Sequence, residues 1–80
     1  MFEDRFETYR KLRKEVISLP HDGASKEHIY INALSFIKRA DEQIVVRLET
    51  DAEGMTEFLE ELIKRLEKFK EKLLRKETSF

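Results

Sequence analysis

The apolar residues near the start of the chain recur at steps of three and four, a spacing that collects them on one face of a helix. These positions are Phe2, Phe6, Tyr9, Leu12, Val16 and Leu19. Pro20 comes next and stops the pattern, because proline lacks an N–H donor and disfavours helical geometry in the residue before it. We predict a first helix over residues 2–19, followed by a turn at residues 21–23.

A second apolar stripe with helical spacing follows Ser25, a residue type favoured at helix N-caps. Its members are Tyr30, Ala33, Leu34, Ile37, Ala40, Ile44 and Leu48. The pattern predicts a helix over residues 26–48. Residues 44–49 also fit a strand, since they are rich in β-branched side chains and alternate between apolar and polar.

A strand at 44–49 would need a partner, and residues 28–32 offer one. That pairing gives an α+β alternative with a two-stranded parallel sheet. Two-stranded sheets are marginally stable unless a helix covers them, so we favour the helix.

The third stripe follows strict heptad order in alternating steps of four and three. It consists of Met55, Leu59, Leu62, Leu66, Phe69 and Leu73. The preceding residues, from Thr50 to Glu53, match the capping box, in which a threonine and a glutamate satisfy the first amides of a helix. We predict a third helix over residues 51–77.

Together these patterns predict an all-α fold, a three-helix bundle with a long C-terminal amphipathic helix, in a single domain covering residues 1–80. At 1.5 Å per residue the third helix would be about 39 Å long, against about 27 Å for the first. We therefore expect its end to overhang the bundle, so that Leu73, Leu74 and Phe80 face water. An exposed apolar patch of this kind is typical of an interface.

Composition supports a folded domain, because 40% of residues are hydrophobic and the net charge is only −1. Charged residues make up 41% of the chain, and cysteine is absent. Abundant charge with few thermolabile residues suggests a thermophilic source as a hypothesis. A melting midpoint below about 60 °C would argue against that source.

The longest apolar runs contain three residues, far fewer than a membrane-spanning helix requires. The N-terminal residues are charged from Glu3 onward and lack the apolar segment of a secretory signal. We expect a cytoplasmic protein without a membrane partner.

Candidate chemistry is sparse. His21 and His28 are seven residues apart, with only Asp22 and Glu27 as nearby carboxylates, whereas a zinc site needs three or four ligands. Two glycines in total are too few for a phosphate-binding loop, and no serine lies in a nucleophile motif. We expect no enzymatic activity, no cofactor and no metal.

Two function classes remain. The leading hypothesis is a non-enzymatic protein-interaction domain that binds a protein partner or forms a homodimer through the C-terminal helix. Its candidate contacts are Leu66, Phe69, Leu73, Leu74 and Phe80. The alternative is a nucleic-acid-binding accessory or regulatory protein, which would use basic faces of the first and third helices. The residues on those faces are Arg10, Arg13, Lys14, Lys68, Lys72, Arg75 and Lys76.

Overall fold

The computed structural model describes residues 2–50 and 52–75, which form three helices: α1 (Glu3–Ser18), α2 (Ala24–Thr50) and α3 (Met55–Leu74). No strand occurs in these residues, so the all-α prediction is confirmed. The alternative strand at 44–49 is wrong, because α2 continues through it. Ile44 packs in the core from this helix, and tertiary packing outweighs the weak β-propensity of the segment.

The link between α1 and α2 is short. Leu19 has extended backbone geometry directly before Pro20, which ends α1 as predicted. Gly23 has a φ of 103°, and its carbonyl accepts the N–H of Glu27 at 2.9 Å to begin α2. Since α2 starts at Ala24, Ser25 lies in the first turn, and its predicted N-cap position is wrong.

The capping box predicted at the start of α3 is also wrong. Thr50 is the last residue of α2, and its hydroxyl donates to the carbonyl of Val46 at 2.8 Å. Because α2 extends through Thr50, this side chain bonds backward along its own helix. The N-cap of α3 is Gly54, so the helix starts at Met55. As a result α2, with 27 residues, is longer than α3, with 20.

The three helices form an elongated bundle of 49 × 19 × 18 Å. α1 and α3 run in the same direction, since Arg5 pairs with Glu60 near their starts and Glu15 pairs with Lys70 near their ends. α2 runs the opposite way: the Arg47 guanidinium lies 4.2 Å from the centroid of the Phe58 ring near the start of α3. α3 packs against both other helices, whereas α1 and α2 contact each other less.

The core consists of apolar side chains from all three helices, and no polar side chain is buried with them in the described residues. The buried residues are Tyr9, Leu12, Val16, Ala33, Phe36, Ile37, Ala40, Ile44, Met55, Leu59, Leu62, Leu66 and Leu73. Most members of the three predicted stripes are included. In α2 the buried face also contains Phe36, which the prediction missed, and it leaves out Leu34 and Leu48.

The predicted overhang of the third helix does not occur at Leu73, which is only 2% exposed. α3 begins four residues later than predicted and ends level with α1, where Lys70 meets Glu15. Its last turns therefore pack against the bundle. Leu74 is exposed as expected, and Phe80 lies outside the described residues. No helix among the described residues is both long and apolar enough to cross a membrane.

Candidate interaction surfaces

The exposed large apolar side chains lie mainly on α2 and not on α3. Ile31 is 61% exposed and Leu48 is 48% exposed. Together with two more apolar and two charged residues they form a stripe in steps of three and four, which we call the outer stripe. It consists of Ile31, Leu34, Lys38, Asp41, Val45 and Leu48. The buried residues of α2 lie between these positions in the sequence. The helix therefore has two apolar faces with heptad-like spacing, a buried face and an exposed face.

One end of the outer stripe borders a groove between α1 and α2, which we call the first groove. It has a volume of about 400 Å³. Its lining residues are Phe6, Tyr9, Arg10, Arg13, Lys14, Asp41, Ile44, Val45 and Leu48. The first groove thus has an apolar floor and a cationic rim supplied by α1.

A hydrogen-bond network fixes the position of α1 against α2 in the first groove. The Tyr9 hydroxyl donates to Asp41 Oδ1 at 2.8 Å, and the Arg13 guanidinium donates to Asp41 Oδ2 at 2.8 Å and 3.1 Å. Burial, together with the hydrogen bond to Asp41, raises the pKa of Tyr9. The hydrogen bond to Asp41 raises the pKa of Arg13. Arg13 is therefore bound to Asp41 within the molecule, while its side chain is still 38% exposed.

A second groove separates α2 from α3 and has a volume of about 360 Å³. We call it the second groove. Its lining residues are Asn32, Ser35, Phe36, Arg39, Arg65, Lys68, Phe69 and Lys72. Four of the eight are cationic, and none is a carboxylate. Lys68 and Lys72 were predicted from the sequence, whereas Arg39 and Arg65 were not, because the proximity of these side chains depends on which faces of α2 and α3 meet.

The basic residues predicted on the first and third helices do not line one common groove. Arg10 and Lys14 line the first groove, and Arg10 also pairs with Glu7 at 3.7 Å. Lys68 and Lys72 line the second groove, which shares no residue with the first. Arg75 is exposed at the C-cap of α3, and Lys76 lies outside the described residues.

The apolar residues predicted as contacts are placed differently from one another. Leu66 and Leu73 are buried in the core, and Phe69 is partly buried at the second groove. Leu74 is exposed. The exposed apolar surface thus lies largely on α2, where the sequence itself carries a signal: the steps of three and four from Ile31 to Leu48.

The two histidines do not converge with other ligands. His21 stacks on Tyr30 with the ring centroids 3.8 Å apart, while the Tyr30 hydroxyl donates to the carbonyl of Ile17. His28 is exposed on α2. Within residues 2–50 and 52–75 no three side chains of the metal-ligating types lie close enough together to hold an ion.

Comparison with known proteins finds no match: no family model, curated protein or solved structure is significantly similar to this chain. A functional hypothesis for this chain therefore rests on the surfaces described above.

Proposed function

We propose that this chain is a small, non-enzymatic protein-interaction domain that self-associates through the outer stripe of α2. The proposal rests on the order of residue types in the stripe, apolar or charged, because this order is the same when it is followed from either end. Two apolar residues come first, two charged residues of opposite sign lie at the centre, and two apolar residues come last. The stripe is thus complementary to a second copy of itself.

An antiparallel pair of α2 helices matches the stripe residue by residue. The centre of symmetry lies between Arg39 and Ala40 in the sequence. About this point Ile31 is opposite Leu48 of the second copy. The other two matches are Leu34 with Val45, and Lys38 with Asp41, each pair joining one copy to the other. Apolar side chains meet at both ends, and opposite charges meet in the middle.

The spacing of the stripe also suits helix pairing. Alternating steps of three and four are typical of two helices that supercoil with a left-handed twist. A twofold axis relates the two copies in such a pair, so each contact occurs twice. Pairing of opposite charges near the axis favours this register over shifted ones, since a shift would place a charge against an apolar residue.

The charges at the centre of the stripe are accessible. Lys38 is exposed and forms no ion pair within the described residues. Asp41 is bound by Tyr9 and Arg13, and its side chain is still 38% exposed. Tyr9 and Arg13 together make four hydrogen bonds to the Asp41 carboxylate, so Lys38 of a second copy would be attracted to its exposed edge by charge and not through a free lone pair.

The size of the molecule permits a stable interface. A standard protein interface buries about 800 Å² per partner. A long side of this bundle measures 49 × 19 Å, and the outer stripe runs about 26 Å along it, so residues beside the stripe would supply part of that area. Dimerisation would also supplement the small core of an 80-residue chain that contains no disulfide.

Two neighbouring valines provide a matched test. Val45 is 55% exposed and belongs to the outer stripe, whereas Val46 is 56% exposed and lies outside it. Burying half a valine in each copy contributes about 1 kcal/mol, or about 2 kcal/mol per dimer, which is roughly 30-fold in Kd. We expect Val45→Ser to weaken dimerisation by about this factor and Val46→Ser to leave it unchanged.

Sedimentation velocity over a range of protein concentrations measures both effects. The wild-type chain should shift from monomer to dimer as its concentration rises into the high micromolar range. A monomer throughout that range would refute the proposal. Equal weakening by the two serine variants would show that the chain associates through a different surface.

A further inference from the structure

We propose that the second groove binds the phosphate backbone of a single-stranded nucleic acid. The inference does not depend on dimerisation, because the second groove and the outer stripe share no residue. It rests on three features of the groove: four cations without ion-pair partners, aromatic rings among them, and polar side chains on one wall.

The cations line both walls of the second groove. Arg65, Lys68 and Lys72 follow one another along α3 in steps of three and four, a distance of about 10 Å at 1.5 Å per residue. Arg39 lies on the α2 wall. None of these four side chains forms an ion pair within residues 2–50 and 52–75.

This concentration of positive charge stands out in a chain whose net charge is −1. The ion pairs formed by the described residues lie elsewhere: three join α1 to another helix, and the fourth lies within α1. On α3, the carboxylates in phase with the three cations are Glu57 and Glu61, and both precede Arg65. Toward the C-terminus the row is purely cationic from Arg65 to Lys72. The groove therefore offers a continuous positive surface to a polyanion.

Two phenylalanine rings lie between the cationic walls. The centroids of Phe36 and Phe69 are 5.8 Å apart, and the Arg65 guanidinium lies 5.8 Å from the Phe36 centroid. Phe36 is mostly buried, whereas Phe69 is partly exposed. In single-strand-binding proteins unpaired bases stack on aromatic rings beside a cationic track, and Phe69 offers a partly exposed ring in such a place.

These rings favour a single strand over a duplex. In a duplex the bases are stacked inside the double helix, so only phosphates and groove edges would reach this surface. A single strand can place a base on Phe69 while its phosphates contact the lysines. Asn32 and Ser35 add hydrogen-bonding groups on the α2 wall, within reach of sugar and phosphate oxygens.

Fluorescence anisotropy with a labelled single-stranded oligothymidine tests the proposal on the full chain. If all four cations contact phosphates, the logarithm of the binding constant should fall with the logarithm of salt concentration with a slope of about −2.8. The double variant Lys68→Gln, Lys72→Gln should lower the affinity and reduce the slope to about −1.4.

A matched control removes the same charge from α1. Lys11→Gln with Lys14→Gln changes two exposed helical lysines that lie outside the second groove. We expect this variant to keep the wild-type slope. Phe69→Leu should weaken binding roughly tenfold through lost stacking, with the slope unchanged. A melting curve of each variant confirms that it is folded.

Several results would overturn the proposal. These are the absence of binding at about 50 mM salt, an equal loss of affinity in the two double-lysine variants, and tighter binding of a duplex than of the single strand. Displacement of the oligothymidine by polyglutamate at an equal concentration of charge would also overturn it, since the groove would then recognise negative charge alone.

Discussion

Truncating Leu73 tests whether the last turn of α3 packs in the core, as in the structure, or is exposed to solvent. Leu73 is 2% exposed, and the next residue, Leu74, is 55% exposed. Truncating a buried leucine to alanine typically costs 2 to 5 kcal/mol, through lost burial and the cavity left behind. Leu73 is the penultimate residue of α3, where neighbouring side chains can partly fill the cavity. We expect Leu73→Ala to cost about 2 to 3 kcal/mol.

That loss is large for a domain of this size, whose total stability is about 4 to 12 kcal/mol at typical values per residue. The melting midpoint should fall by roughly 10 to 20 °C. Leu74→Ala changes the same side chain one residue later and should alter stability by less than about 0.5 kcal/mol. The difference in stability between the two alanine variants therefore measures the effect of burial.

Urea denaturation followed by circular dichroism provides the measurement. It should be made at low micromolar protein and again at tenfold higher concentration, so that any contribution from association appears as a concentration dependence. A Leu73→Ala variant as stable as Leu74→Ala would refute the packing of the last turns of α3 against the bundle. A loss seen only at the higher concentration would instead assign Leu73 to an interface.

Two further predictions concern single residues. Gly23→Ala should destabilise the protein by about 1 kcal/mol, because its φ of 103° disfavours any side chain. Gly54→Ala should cost less, about 0.5 kcal/mol, because a φ of −90° suits any residue and alanine is only a poorer N-cap than glycine. A thermal melt compares the two variants, and equal effects would contradict the strain at Gly23. The pKa of Tyr9 is raised in the folded state, so Tyr9 contributes stability that is fully present below a pH of about 10, the pKa of an unfolded tyrosine. Above that pH the free energy of unfolding should fall by about 1.4 kcal/mol per pH unit. In urea titrations at several pH values Tyr9→Phe should lack this component, and parallel pH profiles of the two proteins would contradict it.

The sequence sufficed to predict the helices whose apolar residues lie on one face. In α1 and α3 a single stripe separates core from solvent, so the positions of Tyr9, Val16, Leu59 and Leu66 followed from spacing alone. α1 also has a clear end at Pro20, whereas α3 ends at Leu74, three residues before the predicted end at residue 77. Periodicity identifies such elements because burial of one face determines where the side chains go.

α2 was harder to predict because it has two apolar faces. Ala33, Ile37 and Ile44 face the core, whereas Ile31 and Val45 do not. The sequence predicts a single stripe on this helix, and that stripe mixes members of both faces. Which face is buried depends on the positions of α1 and α3, and this is tertiary information that the spacing of one helix does not contain.

Local signals at helix ends failed where a neighbouring helix extended further than expected. Thr50 has the residue type of an N-cap, yet α2 continues through it, and its hydroxyl bonds backward. The second groove was missed for a related reason. Arg39 and Arg65 are 26 positions apart in sequence, and only the packing of α2 on α3 places them on opposite walls of one groove.

The antiparallel register of the α2 pair is tested most directly by cross-linking. The chain contains no cysteine, so engineered thiols pair only with each other. A Leu34→Cys variant and a Val45→Cys variant would be mixed in a glutathione redox buffer, and the disulfide-linked products identified by mass. We expect the mixed dimer to dominate over either symmetric dimer, because these two positions face each other across the twofold axis. Predominantly symmetric dimers, or no cross-linked product, would contradict self-association through the outer stripe.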